Sequence, residues 1–179
     1  GVAGDVLLFF GAIREYKGLS YLLRALQRVI KERKVVLLIV GEFFGDKKPY
    51  LELIDELQLT SQVKIFDRYI PNEAVAEYFS VADVLIAPYI SGTQSGVITI
   101  AYAFEKPVIA TDVGGFSEVV IPNVTGYLVP PKDADKLAEA ILDFYTQDKG
   151  HFLPGLREMS KKLSWENLGN RIMKEIINA

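Results

Sequence analysis

Short runs of hydrophobic residues alternate along this chain with segments in which apolar residues recur every three or four positions. The first pattern is typical of buried strands, and the second is typical of helices that pack through one face. Apolar runs predict strands at 6–10, 35–40, 63–66, 84–87, 107–110 and 126–129. Helical spacing predicts helices at 19–30, 48–57, 74–80, 93–104, 117–120 and 133–145.

This alternation predicts an α/β fold with a doubly wound, mostly parallel six-stranded sheet and helices on both faces. The second strand is apolar throughout, as expected for a strand that is covered on both sides. Two more helices are predicted at 153–163 and 165–177, and Asn72 is the predicted N-cap of the third helix. Because no linker or repeat divides the chain, we expect a single domain over residues 1–179.

Composition excludes several classes of protein. The net charge of −3 argues against a general nucleic-acid-binding protein, which would carry a basic surface. The chain has no cysteine, and its one histidine, His151, cannot form a metal site alone, so we predict neither a metal nor a cofactor. No apolar run reaches the roughly 20 residues that span a bilayer, which favours a cytoplasmic protein. Any contact with the inner membrane face would come through the rest of a longer protein.

The segment between the fourth strand and the next helix is the strongest candidate for a binding site. It contains the small and polar residues Gly92-Thr93-Gln94-Ser95-Gly96, followed by Val97. A helix start offers free backbone N–H groups and the positive end of the helix dipole, which together favour a phosphate. We therefore predict that this turn and the helix start that follows it are a place for a nucleotide diphosphate.

Two cations, Arg14 and Lys17, follow the first predicted strand. In doubly wound sheets, ligands bind at the carboxyl ends of the strands, where this segment and residues 93–97 would lie together. Arginine binds phosphate through a planar fork and lysine through a point charge. The chain contains neither a Walker phosphate loop nor a Gly-x-Gly-x-x-Gly motif, which argues against ATP hydrolysis and NAD binding.

Several segments resemble those of a known family. They lie at 9–19, 82–88, 106–120, 125–129 and 164–166, and the run from 106 to 129 is the most specific. Together they resemble the C-terminal domain of the retaining glycosyltransferases of family four, the group-one type with two Rossmann-like domains. The resemblance covers roughly the whole chain. It implies a nucleotide-sugar-binding fragment that lacks its N-terminal acceptor domain.

The resemblance also implies roles for particular residues. Arg14 and Lys17 would hold the diphosphate and act in catalysis, and the segment from Arg68 to Ile70 would contact the nucleobase. The implied donor-binding residues are Gly11, Gly41, Arg68, Tyr69, Ile70, Thr93, Gln94, Ser95, Gly96, Val97 and Glu118. The substrate would be a nucleotide-diphosphate sugar such as a UDP-sugar or a GDP-sugar.

The chain departs from the family pattern at two positions. The family usually has two glutamates in this region, one at the donor sugar and one at the ribose hydroxyls. Gly92 and Ile100 stand in their places, and Gln94 or Thr99 are candidates to replace the lost hydrogen bonds.

Other functions stay open at this stage. A non-catalytic scaffold that binds a nucleotide sugar, a sugar-nucleotide epimerase and a phosphorylase share the two-domain architecture. The sequence has no signature for the pyridoxal cofactor of a phosphorylase and no acidic cluster typical of a receiver module. Asp112 and Glu118 could form a carboxylate pair, although a carboxylate in a first helical turn is also stabilising in itself.

Overall fold

The computed structural model describes residues 4–148 and 150–164. Its strands are β1 (Asp5–Phe10), β2 (Val35–Val40), β3 (Val63–Phe66), β4 (Val84–Ala87), β5 (Val108–Thr111) and β6 (Gly126–Val129). Its α-helices are α1 (Leu19–Val29), α2 (Lys48–Glu56), α3 (Asn72–Val81), α4 (Gly96–Ala103), α5 (Ala134–Phe144) and α6 (Leu153–Lys162). Two 3₁₀ turns complete the described elements, the first at Glu15–Lys17 and the second at Phe116–Glu118.

The six strands form one parallel sheet in the order β3-β2-β1-β4-β5-β6. This result confirms the predicted doubly wound α/β fold. The strand order reverses direction between β1 and β4, so the loops that follow these two strands diverge and leave a crevice. The crevice lies at the carboxyl edge of the sheet, by which we mean the loops that follow the carboxyl ends of the strands.

The core lies between the sheet and its helices. Helix α1 shows how the sequence produces it, because its leucines recur at the spacing of one helix face. Leu19, Leu22, Leu23 and Leu26 are fully buried, and each such side chain contributes about 1.5–3 kcal/mol relative to an exposed one. Helix α5 packs beside α1, and Arg28 of α1 reaches Asp135 across their exposed side at 3.0 Å.

The starts of α3 and α4 differ from the predictions by two and three residues. Helix α4 begins at Gly96, three residues later than predicted, because Ser95 is an extended N-cap residue with φ −139° and ψ 111°. Asn72 is not the N-cap of α3, since Pro71 takes that position with its fixed φ of −65°. The helix predicted at 165–177 lies outside the described residues. Within the described part of the chain, no helix has the length and apolar character needed to cross a membrane.

Candidate functional site

A glycine brings the loop after β1 against the loop after β4. Gly18 has a φ of +72°, and a Cβ at this position would lie only 1.9 Å from the carbonyl oxygen of Pro88. The two loops are also joined by the N–H of Ile90, which donates to the carbonyl of Tyr16 at 2.7 Å. Only a residue without a side chain permits this approach, and it places the neighbouring Lys17 inside the crevice.

Lys17 meets two other predicted site residues there. Its side chain is 7% exposed. A Cβ on Gly11 would lie 3.2 Å from the Lys17 ammonium and 3.3 Å from Cγ2 of Val97. The structure therefore brings together the loop after β1, the buried ammonium and the first turn of α4.

The ammonium of Lys17 is buried without a carboxylate partner among the described residues. Burial and, to a smaller extent, the nearby positive charge of Arg14 together lower the pKa of Lys17 to about 8. A buried cation of this kind is costly unless an anion compensates it. The site is therefore suited to an anionic ligand.

Arg14 lies at the outer rim of the crevice. Its guanidinium stacks over the ring of Phe44 at 4.4 Å from the centroid, in a cation–π contact. The side chain is exposed, so it can reach a ligand that already contacts the buried ammonium. Arg14 and Lys17 thus form one positively charged region.

A cavity of about 190 Å³, which we call the α4-side cavity, opens at the start of α4. Gln94, Ser95, Gly96 and Glu118 are among its lining residues. The N–H groups of Gly96 and Val97 lie in the first turn, where helix geometry offers them no intrahelical acceptor. Thr93 closes the loop, because its carbonyl accepts the N–H of Gly115 at 2.9 Å.

A second cavity, of about 280 Å³, lies among the segments that follow β1, β2 and β3, and we call it the β3-side cavity. Its lining includes the predicted residues Gly11, Gly41, Arg68, Tyr69 and Ile70. The guanidinium of Arg68 donates to the hydroxyl of Tyr78 at 3.0 Å. Tyr69 is 73% exposed, so its ring is free to stack on a ligand. All of the predicted site residues thus lie at the carboxyl edge.

Two other clefts have greater volumes than these two cavities, but Lys17 lines neither of them. A cleft of about 600 Å³ between α1 and α2 is lined by Glu15, Glu52 and Glu56, whose charges disfavour a diphosphate. A cleft of about 660 Å³ includes Arg28, which already pairs with Asp135. Among the described residues, no group of three histidines, aspartates or glutamates could hold a metal ion.

The two positions that depart from the family pattern differ in their surroundings. Ile100 is half-buried and packs against the core. Gly92 has a φ of +156° and lies beside Tyr89, whose Cδ2 would be 3.5 Å from an added Cβ. Gln94 and Thr99 both line the α4-side cavity, where their polar groups face the same space as Glu118.

The sequence analysis did not identify Tyr89 as a residue of the candidate site. This residue is 5% exposed, and the ammonium of Lys17 lies 5.5 Å from the centroid of its ring. Its position directly after β4 was the available signal, because residues that follow a strand lie at the carboxyl edge. The sequence analysis also did not identify Phe44, whose aromatic ring stacks under Arg14.

The fold and the site together define a doubly wound α/β domain whose crevice, at the topological switch point of the sheet, contains a buried cation. A family model narrows this class. The model of the glycosyl transferases group 1 matches residues 4–147, and the chain belongs to that family.

Individual relatives agree with the family. An uncharacterized glycosyltransferase of Methanocaldococcus jannaschii is 30% identical over 185 residues, covering 99% of this chain and 45% of the relative. The structure of a sucrose-phosphate synthase from Thermosynechococcus elongatus has a TM-score of 0.83 and 28% identity, covering 99% of this chain and 47% of that one. The structure of Anabaena HepE in complex with UDP has a TM-score of 0.86 and 21% identity, covering 98% and 49%. The chain therefore spans about half the length of these relatives.

Proposed function

We propose that this chain is the donor-binding, C-terminal half of a two-domain retaining glycosyltransferase. The donor would be a nucleotide-diphosphate sugar such as a UDP-sugar or a GDP-sugar. The observation that carries this proposal is the buried ammonium of Lys17, which lies beside Gly11, as does Val97 at the start of α4, and has no carboxylate partner among the described residues. The UDP bound to Anabaena HepE, which shares the fold, makes UDP the first ligand to test.

The proposed reaction explains why cations would lie here. The bond between the anomeric carbon and the diphosphate oxygen breaks, and its electron pair stays on the diphosphate. Lys17, Arg14 and the N-terminus of α4 would stabilise the negative charge that grows on this leaving group. The acceptor oxygen then bonds to the same carbon on the same face, and its proton passes to the leaving phosphate. This route requires no separate base from the protein.

The two cavities would divide the donor between them. The β3-side cavity, with the exposed ring of Tyr69, would take the nucleobase. The α4-side cavity, with Gln94 and Glu118, would take the sugar. The acceptor would bind to the other half of the protein, which corresponds to the length that the relatives have beyond this chain. We therefore expect this chain alone to bind the donor without transferring the sugar.

A non-catalytic scaffold is the second candidate, and one observation favours it. Gly92 and Ile100 replace the two carboxylates of the family pattern, and Ile100 is committed to packing against the core. Such a domain would bind the donor in the same place. The whole protein would then transfer no sugar to any acceptor, whereas an epimerase would interconvert the donor without one.

Calorimetry of nucleotide binding tests the proposal. UDP, GDP, ADP and their sugar conjugates are titrated into the chain and into Arg14→Ala and Lys17→Ala. We expect one base to be preferred. The affinity of the chain for the nucleotide with that base should fall about 100-fold in Lys17→Ala, since hydrogen bonds to charged groups contribute about 1.5–3 kcal/mol. It should fall about tenfold in Arg14→Ala, because Arg14 is more exposed than Lys17.

Arg24→Ala is the matched control, because it removes an exposed cation of α1 that lines the cleft between α1 and α2 instead of the crevice. Its affinity should equal that of the wild type. The proposal is wrong if no nucleotide binds, or if binding is insensitive to Lys17. Transfer assays on the whole protein then separate the enzyme from the scaffold.

A further inference from the structure

Tyr89 lies where four segments of the carboxyl edge meet. Its ring packs edge-on against Tyr16 of the first 3₁₀ turn, with 5.8 Å between the centroids. It also packs against Phe116 of the second 3₁₀ turn at 5.2 Å. The carbonyl of Tyr89 accepts a hydrogen bond of 2.6 Å from the hydroxyl of Thr111 at the end of β5. A residue of the loop after β4 is thereby fixed from three other directions.

Two further contacts connect Tyr89 to the candidate diphosphate site. On one side, the Lys17 ammonium lies over the ring, 5.5 Å from its centroid. On the other side, the phenolic oxygen lies 3.2 Å from Oγ of Ser95, the N-cap residue of α4. One buried side chain therefore spans the distance between the ammonium and the helix start.

We propose that Tyr89 is a positioning residue that holds the Lys17 ammonium and the N-terminus of α4 at the separation needed to contact one diphosphate together. This inference rests on the proposed function. Tyr89 acts through Lys17 and Ser95 and does not itself contact the donor.

The rigidity of tyrosine gives this arrangement a physical reason. A lysine side chain has four rotatable bonds and loses much conformational freedom when a ligand fixes it, whereas tyrosine has two. An ammonium already held by a ring loses less freedom on binding, and such preorganisation increases affinity. Burial raises the pKa of Tyr89, so its hydroxyl stays protonated and able to donate to Ser95. The charge of Arg14 and the ring of Tyr89 face Lys17 here.

Two substitutions separate the two contacts. Tyr89→Phe keeps the ring beneath Lys17 and removes only the hydrogen bond to Ser95. We expect the affinity for the preferred nucleoside diphosphate, with UDP as the first probe, to fall about 3–10-fold, the range of one hydrogen bond. Tyr89→Leu also removes the ring, and the loss should exceed about tenfold. Binding of the free nucleoside should stay within about twofold in both variants, because a positioning role for the diphosphate does not affect the base.

Tyr127→Phe is the matched control, since it removes a hydroxyl from another partly buried tyrosine on β6. It should bind the diphosphate as the wild type does. If Lys17→Ala abolishes binding while both Tyr89 variants bind normally, the inference about Tyr89 is overturned and the proposed function stands. Equal losses for nucleoside and diphosphate would also overturn it, because they would indicate general unfolding.

Amide hydrogen exchange tests the inference without any ligand. The N–H of Ile98 donates to the carbonyl of Ser95 at 3.1 Å and reports on the first turn of α4. In Tyr89→Phe we expect this amide to exchange about 3–10-fold faster, while amides of β2 keep their rates. Unchanged exchange at Ile98 would overturn the inference even if no nucleotide binds and the proposed function fails.

Discussion

The charged side chains at the amino edge of the sheet differ from the buried Lys17 at the carboxyl edge in how they are paired, whereas the carboxyl-edge residues Lys47 and Asp67 form an ion pair of their own at 2.7 Å. At the amino edge, Arg33 pairs with Asp5 at 2.5 Å, and the carboxylate of Asp83 accepts the N–H of Val6 at 2.8 Å. At the carboxyl edge, Lys17 is more deeply buried than any of these and has no ion-pair partner among the described residues. Paired charges stabilise the fold, whereas an unpaired buried charge costs stability unless a ligand compensates it. This difference is the reason to assign function to one edge and structure to the other.

Two loops of the carboxyl edge also approach each other through the backbone. At the carboxyl edge, Gly114 has a φ of +53°, and a Cβ there would lie 2.1 Å from the carbonyl oxygen of Gly92. The loops after β4 and β5 thus touch through main-chain atoms. Glycine adopts this left-handed conformation without strain, and its lack of a side chain is what permits the close approach.

The largest expected effects on nucleotide affinity and stability come from replacing one cation at each edge by methionine. Lys17→Met keeps the length of the side chain and removes the buried charge. We expect nucleotide affinity to fall about 100-fold and the free energy of unfolding at pH 7 to rise by about 1–3 kcal/mol. Below pH 8 both the folded and unfolded chains hold the Lys17 proton, and between about 8 and 10.5 only the unfolded chain does. Wild-type stability therefore rises through that range, and the advantage of the variant shrinks.

Arg33→Met is the matched variant at the amino edge. It breaks the ion pair with Asp5, so the free energy of unfolding should fall by about 0.2–1 kcal/mol, a modest value because the arginine is partly exposed. Nucleotide affinity should stay within about twofold of wild type. Urea unfolding and calorimetry measure both quantities. If both variants change the free energy of unfolding in the same direction, the charges at the two edges do not differ in their effect on stability.

The difference between the edges also shows what could be predicted from the sequence. The strands β2, β3 and β6 have the predicted bounds, because each is a short apolar run between polar or turn-forming residues. Residues 93–95 carry no strong helix-breaking signal, so the start of α4 was predicted too early. The contacts of Thr93 with Gly115 and of Ser95 with Tyr89 hold this segment outside the helix.

The position of the candidate site could be predicted from the sequence, but the burial of Lys17 within it could not. The topology of a doubly wound sheet places Arg14, Lys17 and Ser95 at one edge as soon as the strands are known. The burial of Lys17 depends on Gly18 and on the ring of Tyr89, which come from separate loops. No local pattern encodes such contacts, and a lysine in a polar loop is usually exposed.

A backbone substitution gives the next effect in size. Gly114→Ala forces a Cβ against the carbonyl of Gly92 at a positive φ, so we expect a loss of about 1–3 kcal/mol in stability together with weaker nucleotide binding. Gly45→Ala is the control, because Gly45 also has a positive φ, of +114°, but an added Cβ would meet nothing within 4 Å. Thermal unfolding should show the smaller loss for Gly45→Ala, and only Gly114→Ala should affect binding. Equal losses would mean that φ alone, and not the contact between the loops, determines the cost.

The smallest expected effect is the dependence of nucleotide affinity on pH, which tests whether the unpaired Lys17 at the carboxyl edge contacts the ligand. An anionic ligand requires the protonated form of Lys17, whose pKa is about 8 in the free protein. A bound diphosphate stabilises the ammonium, so affinity should be nearly constant below pH 7 and fall about tenfold between pH 7 and 9. Binding at pH 8 should also take up a fraction of a proton, which calorimetry in buffers of different ionisation enthalpy detects. Lys17→Arg is the control, because its guanidinium stays charged throughout this range and should bind, more weakly, without the pH dependence. A wild-type affinity that is constant to pH 9 would show that Lys17 does not contact the anion, and the unpaired charge at the carboxyl edge would then need another explanation.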